Sequence, residues 1–264
     1  MDILEQIIAN KKIEIERLKP LSSIERFERD GFFWKIRNRS LVESLNADGS
    51  TGIIAEFKRK SPSKGWFKNK EVEVEPVVVP YNNLGAAGLS ILTDEVYFGG
   101  DLDDLIQAKV ISDVPVLRKD FIIDKWQIAE SKAFGADVIL LIAACLRQQE
   151  VKELATYAKS IALEVLLEIH NESELDHICD EVDMVGVNNR NLKTFEVDTK
   201  TSLDLVKHIP GNKTAVAESG INDIETIVTL RKAGFKGFLI GERFMRMADP
   251  GLAFEQFVID LKAR

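Results

Sequence analysis

Ile53-Ile54-Ala55-Glu56-Phe57-Lys58-Arg59-Lys60-Ser61-Pro62-Ser63-Lys64-Gly65 opens as an apolar run and breaks into a Ser/Pro/Lys/Gly loop. Read as a strand, alternate residues point the same way, so Ile54, Glu56 and Lys58 share one face. That face is apolar at its start and ionic at its end. A carboxylate and an ammonium there, beside a loop suited to an anion, have the makings of a catalytic mouth. The plainer reading is a strand-end ion pair before a basic turn.

Outward from this stretch, short apolar runs recur at 89–92, 114–117, 137–141, 164–168, 184–188, 214–218 and 237–240. Amphipathic segments separate them at 74–85, 101–110, 124–133, 147–160, 172–179, 199–207 and 222–232, and 250–262 follows the last. Strands alternating with helices mean repeated βαβ units and a parallel sheet. The repeat fits an α/β fold of the closed (β/α)8 TIM barrel type, whose typical length is about 250 residues. An open doubly wound sheet would carry a Gly-rich dinucleotide turn after its first strand, and Gly65 stands alone in its loop. Pro76 suits the start of the first barrel helix, whereas Pro80 falls inside it, so that helix either kinks or begins near Pro80.

The first fifty residues lie outside the repeat. Ile3, Ile7, Ile8, Ile13, Ile15 and Leu18 recur at roughly helical spacing, and 23–29 reads as a further helical turn. Residues 1–50 are therefore expected to form a helical extension covering part of the barrel. No low-complexity linker divides the chain, so 1–264 reads as one domain.

The composition is ordinary for a globular protein: 264 residues, 45% hydrophobic and 30% charged. A net charge of −8 disfavours nucleic acid or an anionic membrane as a partner, while local lysines leave an anionic substrate open. Cys145 and Cys179 lack metal-ligand spacing and read as reduced thiols of a cytoplasmic protein. Residues 1–19 interleave charged and apolar groups without the core of a signal peptide, and no stretch reaches the length of a membrane span. The expected assembly is a monomer or weak homodimer.

A barrel's chemistry sits at the C-terminal ends of its strands, which allows each end to be tested. The ends carry Glu56 and Lys58, Lys119, Glu168, Asn188 and Arg190, Glu218 with Ser219 and Gly220, and Gly241. A lone lysine at such a place is usually a solvated loop charge. Taken together, Glu56, Lys58, Lys119, Glu168, Asn188 and Glu218 can all face one mouth and hold protons ready for transfer. Glu164 shares the face of Glu168 but lies lower and reads as a structural ion-pair member. His170 reads as structural, and His177 and His208 as surface groups. No cluster has metal spacing, so neither metal nor cofactor is expected. The loops after the seventh and eighth strands, Glu-Ser-Gly-Ile (218–221) and Ile-Gly-Glu-Arg (240–243), occupy the places where many barrels bind phosphate. Ser219 offers a hydroxyl, Gly220 an open N–H, and Gly241 opens a short segment, 242–247, that reads as helical.

Seven segments together resemble the indole-3-glycerol phosphate synthase family: 54–65, 89–94, 117–122, 166–170, 186–192, 217–221 and 239–245. They run in family order, and the Ser-Pro-Ser-Lys-Gly and Lys-Asp-Phe elements are its most specific marks. The resemblance implies ring closure of 1-(o-carboxyphenylamino)-1-deoxyribulose 5-phosphate with loss of CO2 and water. It implies that Lys119 donates a proton to the ketone. Lys58, held by Glu56, faces the carboxylate and the departing hydroxyl, and Glu168 handles the proton of dehydration. Asn188, Glu218 and Arg190 position the substrate and the lysines. Phe98 and Phe121 pack against the aromatic ring, and Ser61, Ser219, Gly220 and Gly241 serve the anionic ends. Lys60, Pro80 and Glu242 depart from the family pattern, and a carboxylate at Glu242 turned inward would repel phosphate. The alternatives are another phosphate-binding barrel enzyme, such as phosphoribosylanthranilate isomerase, and a barrel that only binds a phosphorylated ligand. The Lys60–Lys70 loop reads as a candidate lid.

Overall fold

The computed structural model describes residues 2–192 and 194–264; Met1, which opens the stretch read above for a signal core, and Lys193 lie outside the described residues. Eight strands form a closed parallel barrel in sequence order. They are β1 (Ile53–Phe57), β2 (Gly88–Leu92), β3 (Val116–Lys119), β4 (Val138–Ile142), β5 (Glu164–Ile169), β6 (Met184–Asn188), β7 (Thr214–Glu218) and β8 (Gly237–Ile240). The ring closes where Ile54 of β1 pairs with Leu239 of β8 on one side and Gly88 of β2 on the other.

The period-2 pattern explains the two cores. Ile53, Ala55 and Phe57 point outward into the layer shared with the helices. Ile54 points inward and meets Leu117, Val138, Leu140, Leu166, Met184, Val216 and Leu239 in the barrel's own core. Bulky apolar side chains thus fill the lower barrel, and the polar residues take over towards the strand ends.

Among the described residues three α-helices precede the barrel: α1 (Ile3–Leu18), α2 (Ile24–Asp30) and α3 (Leu41–Asn46). Asp2 and Glu5 form a reciprocal capping box at the start of α1, and Ser23 caps α2. Sequence reading missed α3, although Ser40 followed by Glu43 is a helix-start signature, and Ser40 does accept from the Glu43 N–H. The buried Leu41 and Leu45 of α3 plug the N-terminal end of the barrel.

Glu164 explains how that plug is held. Its carboxylate accepts from the Ser40 hydroxyl and from the backbone N–H groups of Leu41 at 2.8 Å and Val42 at 3.2 Å. The expected ion-pair role is therefore corrected: Glu164 is structural, but it completes a helix N-terminus, where backbone N–H groups lack internal partners.

Other boundaries moved for identifiable reasons. β3 starts later than expected, where Pro115 has no N–H to give the ladder, and runs on to Lys119; the Pro115 carbonyl accepts from the Leu89 N–H at 2.9 Å. The segment expected at 172–179 is a 3-10 helix, Glu172–His177, tightened by Asn171 accepting from the Ser173 N–H. The first barrel helix, α4 (Glu75–Asn83), begins with Pro76 in its first turn and continues through Pro80, so the late start is not observed. Tyr81, fully buried against the rings of Phe254 and Phe244 at 4.9 and 5.9 Å, fixes the helix where Pro80 cannot donate. Among the described residues no helix is long and apolar enough to cross a membrane.

Candidate active site

A cavity of about 320 Å3 opens at the C-terminal ends of the strands. It brings together Glu56, Lys58, Lys119, Glu168, Asn188 and Glu218, and also Ser61, Phe98, Phe121, Arg190, Ser219, Gly220 and Gly241. Ile3, Leu4 and Ile7 of α1 form part of its wall, so the extension does reach over the barrel.

Lys119 lies at the centre. Its ammonium is 2.6 Å from Glu168 Oε2 and 3.2 Å from Glu218 Oε2. Burial acts against the charged form, but Glu168, Glu218 and Glu56 more than offset it and raise the proton affinity of Lys119 above the ordinary lysine range. Glu168 is held well below the carboxylate range: burial opposes this, and Lys119 and His170 prevail. Glu218 goes the other way. Burial, reinforced by the charge on Glu168, pushes it up to about 8 despite Lys119. Its Oε1 is buried without a hydrogen-bond partner. One ammonium thus stands between two carboxyl groups whose proton affinities are driven in opposite directions.

Glu168 Oε1 accepts from Asn188 Nδ2 at 3.0 Å, and Asn188 Oδ1 accepts from the Arg190 N–H at 3.0 Å. His170, read as structural, does not line the cavity and stands beside Glu168. Its Nε2 is 3.2 Å from Glu168 Oε1 and its Nδ1 is 3.3 Å from Glu174 Oε2. Burial lowers its proton affinity, yet the two carboxylates raise it to about 9. The signal was available: His170 lies two residues beyond Glu168 and shares its face. His177, expected on the surface, is half-buried with Nε2 3.0 Å from the Leu146 carbonyl, whereas His208 is exposed.

On the opposite wall, Lys58 Nζ is 2.5 Å from Glu56 Oε1. Gly241 follows β8 beside this pair, and a side chain there would collide with the Glu56 carboxylate. Gly186 of β6 leaves the same kind of room for Glu218. These glycines let carboxylates pack against neighbouring backbone inside the barrel.

The loop after β7 has a strained backbone. Ser219 sits at φ 65, a region in which non-glycine residues are uncommon, and Gly220 at φ 75. The segment after Gly241 is helical only over Glu242–Met245. Glu242 is engaged by Arg190 at 3.3 Å and Arg246 at 2.8 Å, so its charge is balanced. Phe98 and Phe121 face each other at 6.0 Å between ring centroids. The loop after β1 forms a small hairpin, Lys60–Ser61 with Gly65–Trp66, and Lys68 beyond it donates to the Met247 and Ala248 carbonyls at 2.5 and 3.1 Å.

Sequence reasoning also missed Asp120 in the cavity wall and the buried Arg118, Asp94 and Lys11 behind it. For Lys11 a signal existed. It lies four residues from both Ile7 and Ile15 on the buried face of α1, where an unpaired charge would be costly.

A family model described as indole-3-glycerol phosphate synthase matches residues 4–257. The indole-3-glycerol phosphate synthase of Bacteroides thetaiotaomicron is 49% identical over 97% of this chain and 98% of its own. That of an Acidovorax species is 43% identical over 97% and 98%. Among solved structures, a tryptophan synthase complex chain from Pyrococcus furiosus superposes with a TM-score of 0.60 at 14% identity, covering 81% of this chain and 99% of that one. The 3-hexulose-6-phosphate synthase of Salmonella typhimurium gives 0.58 at 12% identity, covering 80% and 99%. At those identities the structural likeness speaks to the barrel alone.

Proposed function

The chain belongs to the indole-3-glycerol phosphate synthase family, and from that premise we propose how the residues of its mouth divide the work. The enzyme is a carbon–carbon lyase of tryptophan biosynthesis, and a phosphorylated small-molecule substrate fits the family. It closes the ring of 1-(o-carboxyphenylamino)-1-deoxyribulose 5-phosphate and releases CO2 and water.

The observation that carries the proposal is the Lys119 ammonium held between Glu168 and Glu218. Ring closure requires the aryl carbon bearing the carboxylate to attack the ketone, whose oxygen gathers negative charge. Lys119 donates a proton to that oxygen, turning ketone into alcohol as the new carbon–carbon bond forms. The carboxylate leaves as CO2, and its bonding electrons restore the aromatic ring. The new alcohol then takes a proton from Lys58, held by Glu56, and departs as water. Glu168, ionised and oriented by Asn188, takes the carbon-bound proton whose loss completes the indole.

Binding aligns the reacting carbons before the chemistry. Phe98 and Phe121 flank the aromatic ring. Ser219, Gly220 and Gly241 hold the phosphate with Ser61, and Arg190 spans from the reacting centre towards that end. With both arginines on Glu242, its carboxylate does not oppose the phosphate. The whole chain acts as one barrel unit with α1 as part of its wall.

Indole fluorescence on mixing the purified protein with this substrate tests the reading, with phosphoribosylanthranilate as a parallel substrate. The expected result is a rise with the first and no turnover of the second. Turnover of phosphoribosylanthranilate alone would replace the synthase with the isomerase.

A further inference from the structure

One buried cation on α1 lies outside this chemistry. Lys11 has no exposed surface and does not line the cavity. Its ammonium is 3.0 Å from Glu14 Oε2, 3.1 Å from Asp94 Oδ2 and 3.0 Å from Asp120 Oδ1. Burial disfavours its charge, and the three carboxylates reverse that and keep it protonated. Glu14 belongs to the same helix and is partly exposed. The two aspartates are buried and come from the loops after β2 and β3.

Each aspartate has a second task. Asp94 Oδ1 accepts from the Tyr97 N–H at 2.7 Å and so caps the short turn Glu95–Phe98. Asp120 Oδ1 accepts from the Phe121 N–H at 2.8 Å, while its Oδ2 takes Thr93 Oγ1 at 2.7 Å and Arg118 Nη2 at 3.0 Å. A single ammonium therefore ties α1 to the two loops that carry the facing rings of Phe98 and Phe121.

We infer that Lys11 is a positioning residue that sets the spacing of the Phe98–Phe121 pair and seats α1 against the cavity. The inference rests on the reading that these rings flank the aromatic end of the substrate. Without the ammonium, buried Asp94 loses its counter-charge and Asp120 keeps only Arg118, which it shares with Glu130, so the two loops relax apart or admit water. Rings displaced in this way hold substrate and transition state equally less well. Such a loss raises KM and leaves kcat in place.

The test is steady-state kinetics on the full-length wild type, Lys11→Met and Lys19→Met, read by indole fluorescence. Lys19 makes an exposed ion pair with Asp124 at 2.6 Å and so loosens the same extension at another point. The expected result is a KM about tenfold higher in Lys11→Met with kcat within about twofold, and Lys19→Met equal to wild type. An unchanged KM, a fall confined to kcat, or an equal KM rise in Lys19→Met overturns the inference. Should Lys11→Met not fold, Lys11→Met/Asp94→Asn removes a matching negative charge and carries the same expectation and the same contradiction. A wild type that forms no indole product would fail the synthase reading instead. Calorimetric titration with the substrate then decides: weaker binding by the Lys11 variant supports the inference, and equal binding overturns it.

Discussion

The two ends of this barrel treat buried carboxylates in opposite ways. At the closed end, Asp137 takes Lys109 Nζ at 2.6 and 2.8 Å, the Arg39 N–H at 2.9 Å and the Val116 N–H at 2.9 Å. Glu164 there is likewise filled by the start of α3. At the mouth, Glu168 and Glu218 share one ammonium, and Glu218 keeps a buried oxygen with no hydrogen-bond partner. Filled hydrogen bonds at a buried carboxylate contribute to holding a fold together, whereas an unfilled oxygen leaves capacity to take a proton or a substrate group. The closed end thus serves stability. The mouth retains unused hydrogen-bonding capacity and displaced protons for a substrate.

This contrast can be broken by single substitutions. The largest effect is expected for Glu168→Gln, which keeps the shape of the side chain and removes the proton acceptor. Its kcat should fall by about 10³-fold, with Tm close to that of the wild type. A kcat within threefold of the wild type would remove Glu168 from the dehydration step.

Asp137→Asn should show the reverse. It leaves the buried Lys109 without its counter-charge, at a cost of about 3 kcal/mol. Thermal unfolding should shift down by roughly 6–12 °C while kcat is retained at 25 °C. An unchanged Tm would show that the closed-end ion pair carries no stability.

The smallest and most discriminating effect is expected for Glu218→Gln. The Glu218 carboxyl group rises from the ordinary 4.5 to about 8 on folding. Between those values the folded chain holds a proton that the unfolded chain has released, so this group's contribution to stability falls as pH rises through the window. Glutamine mimics the protonated form at every pH. Glu218→Gln should therefore be more stable than wild type at pH 9, and the gain should fade towards pH 4.5. Denaturant melts at the two pH values check it. A variant less stable at pH 9 would mean that the mouth is as well satisfied as the closed end.

The barrel was legible because hydrophobic alternation fixes which face of each strand points inward, and the same alternation aims Glu56, Lys119, Glu168, Asn188 and Glu218 at one cavity. What stayed hidden depends on partners distant in sequence. Glu164 looks like any strand-end acid until α3 arrives from the N-terminal extension to be capped by it. The spacing of Lys11 from Ile7 and Ile15 points to burial, but its partners Asp94 and Asp120 converge on it only in the fold, from two loops. The direction of His170 depends on where β5 ends, and the strand, running to Ile169, keeps the His170 ring beside Glu168. The rooms left by Gly186 and Gly241 also escape a linear reading, since each accommodates a carboxylate from the adjacent strand.

The central claim is that Lys119 supplies the proton for ring closure, and single-turnover indole fluorescence of Lys119→Ala tests it most directly. The cavity gives Glu168 and Glu218 access to water and protons, so a folded variant is expected, with its native state checked by near-ultraviolet circular dichroism. The account predicts that ring closure slows by about four orders of magnitude in that folded protein. A folded Lys119→Ala that forms product at the wild-type rate would contradict it.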